Sequence, residues 1–508
     1  MTAERHKLKW WRYVLVALTV IIMQTTYWGE IIPLEEGAGW DGQQYRELVL
    51  HVDRMFVEGQ IDAYHTHRIL PFVLSHTVLR LSGLPPTAEN AMTVTIVMNQ
   101  IVVLLCMLAF FRIADRQRWR WQTELMAFSS TFFTVAVLKL WGYYPFLTDE
   151  LALLLSLLSC HHYYAGKRAW LFVDGLLAML TWPMLSLVVL LLLLFPMPVA
   201  GQGKTESNDC QTQNRYWQRL MQVAFTLWYP LLFILFVLYK HHVHPGIAFS
   251  DMFTLRPSPG LVVSVVAVLA TAAFYFVATR WLTFDVSHLR KVLFNWKRLF
   301  IVVLAAVAFG LVYKLMEWKS APGVFSVEQE FGQMAQLPAS DILILLESPF
   351  IYWGPFFILL IVCWPSVSRQ VCRNETVGML FVVLLGLAFL VDIETRKHIS
   401  FFPFLLVMVM NCVDNLRLRR WVAPAFAVMS LMMSAWWLKI NVAGMQEAMG
   451  SYSIEQYLCF PAQRFFMFLG PWQSHSVYLV VFIMLCVALL AVWLLHRFGL
   501  IESHKEKP

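Results

Sequence analysis

The chain carries repeated apolar runs of about twenty residues that hold no charge, and this pattern decides the fold class before any motif does. Ala91 to Phe111 contains no Asp, Glu, Lys or Arg, and neither do 221–239, 261–279 and 476–495. A helix of about 20 residues crosses the roughly 30 Å hydrocarbon core of a bilayer. Only 14% of the 508 residues are charged against 59% hydrophobic, whereas a soluble domain carries about 25% charged residues. No soluble fold of this size could cover so much apolar surface. Gly, Pro and Cys, at 23, 22 and 8, are too few for collagen-like, disordered or disulfide-scaffold chains. The expected fold is all-α: a polytopic transmembrane helical bundle, one integral membrane domain over 1–508.

Basic residues sit in short clusters between the apolar runs, as the positive-inside bias places them on cytoplasmic loops. The clusters are Arg5, Lys7, Lys9 and Arg12; Arg112, Arg116, Arg118 and Arg120; Lys167 and Arg168; Arg290, Lys291, Lys297 and Arg298; Arg369 and Arg373; and Arg417, Arg419 and Arg420. Threading the chain through them gives 12–14 spans with both termini cytoplasmic. They are predicted at 13–32, 91–111, 125–141, 147–164, 169–195, 221–240, 261–280, 299–316, 350–366, 378–391, 399–413, 421–440 and 476–496. The run at 169–195 is interrupted at Thr181-Trp182-Pro183, so two short helices are expected there. The first apolar run is too long for a signal-peptide core and is read as a retained span. The net charge of +7 lies in short clusters rather than on a continuous basic face, which argues against nucleic acid as a partner. Most cysteines fall within or at the ends of apolar runs, and only Cys459 lies in an external loop. No external disulfide framework is available.

Polar chemistry collects on the predicted outer loops. The first, 33–90, reads Gly39-Trp40-Asp41-Gly42-Gln43-Gln44-Tyr45 and later Tyr64-His65-Thr66-His67-Arg68-Ile69-Leu70-Pro71. Tyr45, Leu48, Val49, Val52 and Phe56 recur at helical spacing, so an amphipathic helix on the bilayer surface is expected from Gln44 onward. Ile69 to Leu81 is apolar but short, and Pro85-Pro86 stops it; it is read as a second interfacial helix. Two roles fit Asp41, a carboxylate presented at the membrane surface or an N-cap for the helix that follows.

The pattern W-D-G-Q-x-Y just after the first span, followed by Y-x-x-H-R-I-L-P, resembles bacterial membrane glycosyltransferases of the GT-C type. Those enzymes take sugars from polyprenyl-phosphate donors, and the Trp-Asp pair is similar to that of the mannosyltransferases of glycolipid-anchor synthesis. Tyr144-Pro145-Phe146-Leu147-Thr148-Asp149-Glu150, the break at Thr181-Trp182-Pro183, and Asp392-Ile393-Glu394-Thr395-Arg396 before Pro403 also resemble that layout. The resemblance implies sugar transfer, with inversion, to a lipid or glycan acceptor at the extracytoplasmic face of the bacterial inner membrane. It puts the catalytic acid at Asp41. Many members carry a D-x-D-like acidic pair in that loop and this chain has none, so no cofactor is expected and a divalent metal has no support.

The residues suit that chemistry. A neutral hydroxyl is a poor nucleophile and needs a base, for which Asp41 is the candidate. The departing lipid phosphate needs cations or donors around its growing charge. Arg68, Arg396, Lys397 and His398 are the candidate contacts, with Arg suited to a two-pronged grip. Trp40, Gln43, Tyr45, His67 and Asp149 complete the candidate substrate-binding set. Each has an ordinary counterpart: Arg68 as a headgroup anchor, Arg396 and Lys397 as a turn paired with Asp392 and Glu394, Asp149 as a helix-start acid. His241, His242 and His244 resemble a metal cluster but lack a further ligand at suitable spacing. Asp174 is the one intramembrane acid, to be satisfied by function or by Lys167 or Arg168. Two other functions compete: a transporter or lipid flippase, suggested by Pro183, Asp174 and Asn99, and a catalytically inactive GT-C-like scaffold.

Overall fold

The computed structural model describes residues 9–39, 41–195, 215–253, 260–282, 295–318, 320–321, 327–342, 344–373, 377–392, 394–439 and 475–501. Among these the chain is helical, and its one isolated β-bridge joins Asp62 and Ala321. Helix α1 is Trp10–Tyr27, and the first predicted outer loop contains α2 (Gly42–Val57), α3 (Ala63–Thr66) and α4 (Leu70–Leu81). Then come α5 (Ala88–Gln117), α6 (Trp121–Phe132), α7 (Trp141–Tyr143), α8 (Asp149–Tyr164), α9 (Arg168–Met179) and α10 (Pro183–Leu194). The second half holds α11 (Arg215–Val243), α12 (Leu261–Thr279), α13 (Trp296–Trp318), α14 (Val327–Gln336) and α15 (Ile344–Trp353). It closes with α16 (Pro355–Arg373), α17 (Val377–Ala388), α18 (Phe402–Asp414), α19 (Val422–Met433) and α20 (His475–Arg497).

This is a helical membrane protein. Among the described residues, five helices are each long and apolar enough to cross a bilayer: 88–117, 218–243, 261–279, 296–318 and 478–497. Helix α6 and the 136–143 segment together are also long and apolar enough, but they meet at a 45° bend. The remaining predicted spans resolve differently. Pro183–Leu194, Phe402–Asp414 and Val422–Met433 are apolar helices of 12 or 13 residues, about 18–20 Å long at 1.5 Å per residue and short of a full bilayer, while Leu70–Leu81, read as a short helix from sequence, is a 12-residue helix. The expected run at 125–141 is broken because Phe133 leaves helical geometry and the Thr134 hydroxyl accepts the Val137 N–H, a local bond that competes with the helix ladder. A π-turn, Ala136–Leu140, follows. The expected run at 350–366 is likewise divided at Gly354, whose φ is +56°, before Pro355. Helix α14 lies within the predicted loop 317–349. The loop 441–475 with Cys459 lies outside the described residues, apart from its last residue, which opens α20.

Helix α5, about 45 Å long, measures out the two ends of the bundle. At its start, Ala91 and Val94 pack into one buried cluster with Tyr45, Leu48, Val49, Phe72 and Phe146, and the Asn99 amide donates to the Pro145 carbonyl at 2.8 Å. At its other end Asp115 meets Lys9 and Arg12. The same two cations hold Glu124, whose side chain is fully buried at the start of α6. Arg120 and Thr123 bond Asp414, and the Gln122 amide bonds the carbonyls of Leu418 and Arg419. Basic clusters that the sequence assigns to one side therefore do gather at one end. Between the two ends runs a core that draws on residues from Ile22 to Ala435.

The buried Glu124 carboxylate makes a direct prediction. Glu124→Gln leaves Arg12 and Lys9 with Asp115 and a neutral amide in place of the buried carboxylate, and is expected to destabilise the protein by about 2 kcal/mol. Chemical denaturation in mild detergent measures this, and an unchanged midpoint would show that the network contributes nothing.

Candidate functional site

The site is built where the first loop folds back on the helix breaks. Glu35, Glu36, Gly37 and Gly39 all have positive φ, and the buried Arg46 guanidinium holds this coil by donating to the Glu35 carbonyl at 3.0 Å. A Cβ on Gly39 would lie 2.2 Å from the Tyr144 ring, so only glycine lets the backbone at this point pass. The Tyr144 hydroxyl then accepts the Asp41 N–H at 3.1 Å. Further along, Asp62 caps α3 by accepting the His65 N–H at 2.9 Å and also grips His65 Nδ1 at 2.8 Å. The Leu70 N–H donates to the Leu180 carbonyl at 2.9 Å. That bond fixes the second interfacial helix on the α9–α10 break.

Asp41 begins α2 but does not cap it: its side chain makes no capping bond. Its Oδ2 instead accepts the Tyr64 hydroxyl at 3.1 Å. Burial raises the Tyr64 phenol above its ordinary pKa, with Arg68 opposing and Asp41 adding, so the proton stays on Tyr64 and the bond runs toward the carboxylate. The Arg68 guanidinium lies 3.7 Å from the Tyr64 ring centroid and 5.3 Å from that of Trp182, a cation–π sandwich. Tyr45, buried and stacked on Phe72 at 4.2 Å, lies in the electrostatic field of Arg68.

Arg396 enters from the turn before α18. Its nearest carboxylate oxygens are those of Asp149 at 3.6 Å and Glu394 at 3.9 Å, both beyond hydrogen-bond length. Asp149 is fully buried at the start of α8 and neither carboxylate oxygen has a hydrogen-bond partner. Arg396 is electrostatically coupled to Tyr64 and Asp41 as well, so Asp41, Arg68, Asp149 and Arg396 converge on one locus around Tyr64. Lys397 turns aside to Asp392 at 3.0 Å and Glu394 at 3.4 Å, the ordinary turn pairing. Burial raises the Glu394 carboxyl, but Lys397 and Arg396 more than reverse it and hold it at about 2.

The other candidates separate. His398 is buried and its Nε2 meets the Phe389 carbonyl at 3.2 Å, which braces the turn. His67 stacks on Tyr313 of α13 at 4.0 Å, and neither ring nitrogen has a hydrogen-bond partner. Burial lowers both imidazoles to about 4; Arg68 adds to this at His67, Lys397 at His398. Gln43 is exposed, and Trp40 lies outside the described residues. Asp174 pairs with His162 at 2.7 Å rather than with Lys167 or Arg168. Among the described residues, no group of three or more His, Cys, Asp or Glu is placed to hold a metal. Sequence reasoning passed over Tyr64 and Tyr144 as site residues. Their signal was present in the quoted motifs, a tyrosine beside each acidic or basic candidate, but only the folded loop joins them.

Two predictions follow from this geometry. Gly39→Ala is expected to displace Asp41 and cost about 2 kcal/mol, from strain at a positive φ and the Tyr144 clash; an unchanged melting midpoint would contradict it. For pH, the native histidines bind protons more weakly than the unfolded chain does, so stability falls as pH drops from about 6.5 toward about 4. Glu394 extends the loss from its ordinary 4.5 toward about 2. His67→Asn is expected to flatten the upper part of the Tm–pH curve, and an unaltered slope would exclude His67. No protein family, curated protein or solved structure compared with this chain matches it.

Proposed function

We propose that this membrane protein is a GT-C-like glycosyltransferase. It moves a sugar from a polyprenyl-phosphate donor to a lipid or glycan acceptor at the extracytoplasmic face, with Asp41 as base. The observation that carries the reading is the shared use of Tyr64: its hydroxyl bonds the Asp41 carboxylate while its ring carries Arg68. A carboxylate relieved of capping duty thus stands beside two guanidiniums that lack close carboxylate bonds among the described residues.

The chemistry follows from those groups. The acceptor hydroxyl gives its proton to Asp41 as its oxygen bonds the anomeric carbon. The bond from that carbon to the phosphate oxygen breaks, and its electron pair leaves with the lipid phosphate. Arg68 and Arg396 take up the charge that develops there. A single displacement inverts the anomeric configuration.

Sugar transfer by purified protein from polyprenyl-phosphate donors tests the reading. Asp41→Asn is expected to lower kcat by 10²–10⁴-fold or about that, the usual contribution of a general base, with thermal unfolding unchanged. Transfer by the variant at the wild-type rate would remove Asp41 as base. A wild-type protein that binds donor and transfers nothing would favour the inactive scaffold.

A further inference from the structure

The opposite end of the bundle carries a second charged feature that sugar transfer does not use. Arg116 Nε donates to the Tyr164 carbonyl at 2.8 Å, which lays the end of α5 on the C-terminus of α8. The Lys167 N–H bonds the His162 carbonyl at 2.9 Å and closes the α8–α9 turn. His161 consequently sits in the field of Arg112, Arg116, Lys167 and His162 together. Arg112, Arg116 and Lys167 are exposed, and among the described residues none of them forms an ion pair. The two acids close by are engaged elsewhere: Asp174 with His162, and Asp115 with Arg12 and Lys9. The His161 Nδ1 is buried with no hydrogen-bond partner. Cations gathered at the end of one helix repel one another, so the cluster calls for an anion.

The flanking helix faces say what kind. On α5, Ile101, Leu105 and Leu108 are exposed in one stripe at helical spacing and lead directly to Arg112. On α9, Trp170, Val173 and Leu177 form a second exposed stripe that begins beside Lys167. Both helices pack on α8. Each cation therefore tops an apolar track, and Trp170 stacks on His162 at 5.9 Å, where an indole suits the headgroup level. A soluble anion would use the cations and leave both tracks bare, whereas a two-chain lipid uses all of it. We propose that this end of the bundle binds an acidic phospholipid, its phosphate held by Arg112, Arg116 and Lys167 and its acyl chains along the α5 and α9 stripes.

The probe is phosphatidylglycerol against phosphatidylcholine, with the full-length protein in mixed-lipid nanodiscs. Lipid retained after delipidation is counted by native mass spectrometry. Wild type is expected to keep phosphatidylglycerol in preference, and Arg112→Gln with Lys167→Gln to weaken retention at least about tenfold. Arg417→Gln with Arg420→Gln removes the same charge from exposed positions near the same end and is expected to change nothing. Equal retention in both double variants, equal loss in both, or displacement of the lipid by excess inorganic phosphate would each overturn the proposal. Should the Arg112 and Lys167 variant fail to fold, the wild-type arm decides alone: no preference for phosphatidylglycerol ends the case.

Discussion

Hydrocarbon offers no hydrogen bonds, so every interruption of a helix in this bundle has to find its partners inside the protein. Among the described residues, three such places organise the molecule. Between α9 and α10 the freed Leu180 carbonyl takes the Leu70 N–H. At Thr134 a side-chain hydroxyl takes the Val137 N–H. At Gly354 the amide still reaches the Phe350 carbonyl before Pro355, which has no N–H to satisfy. The first of these is the consequential one. It ties α4 to the break and so carries Arg68, two residues earlier, over Trp182.

That arrangement explains why a polar cluster survives at the edge of an apolar bundle. Burying a charge is costly unless it is paired or bonded. Here each charge is only partly satisfied: Arg68 by the aromatic faces of Tyr64 and Trp182, Arg396 by two distant carboxylates, Asp149 by none at hydrogen-bond length. A fully paired network would be stable and inert. Incomplete pairing of two guanidiniums near one tyrosine is what the proposed lipid phosphate would complete, and the Tyr64 bond holds Asp41, the proposed base, in the same locus. At the far end the opposite holds: Glu124 is buried and fully met by Lys9 and Arg12, which suits a structural tie.

Much of this was legible in the sequence because the bilayer imposes so simple a rule. Uncharged runs of span length, basic clusters that separate them and the Pro183 break all follow from local composition. The amphipathic α2 follows from its 3.6-residue period, and Asp41 sits at its start as expected. What stayed hidden depends on contacts between distant segments. No spacing rule shows that Thr134 ends a helix, since threonine inside an apolar run reads as tolerated. None shows that Asp41 bonds Tyr64 rather than its own helix, because both roles fit the same residue. His398 and Lys397 looked equivalent to Arg396 on a three-residue turn, and only the fold turns Arg396 toward Asp149, Lys397 toward Asp392 and Glu394, and His398 toward the Phe389 carbonyl.

The central claim is that Arg68 and Arg396 form one phosphate site beside Asp41. Equilibrium binding of a sugar-free polyprenyl phosphate to the purified protein tests it without requiring turnover. Binding is expected to weaken at least about tenfold in Arg68→Gln and in Arg396→Gln, the loss of one charge-assisted contact. It is expected to persist in Asp41→Asn, where a negative charge leaves the site. Arginine variants that bind the lipid phosphate as tightly as wild type would contradict the account.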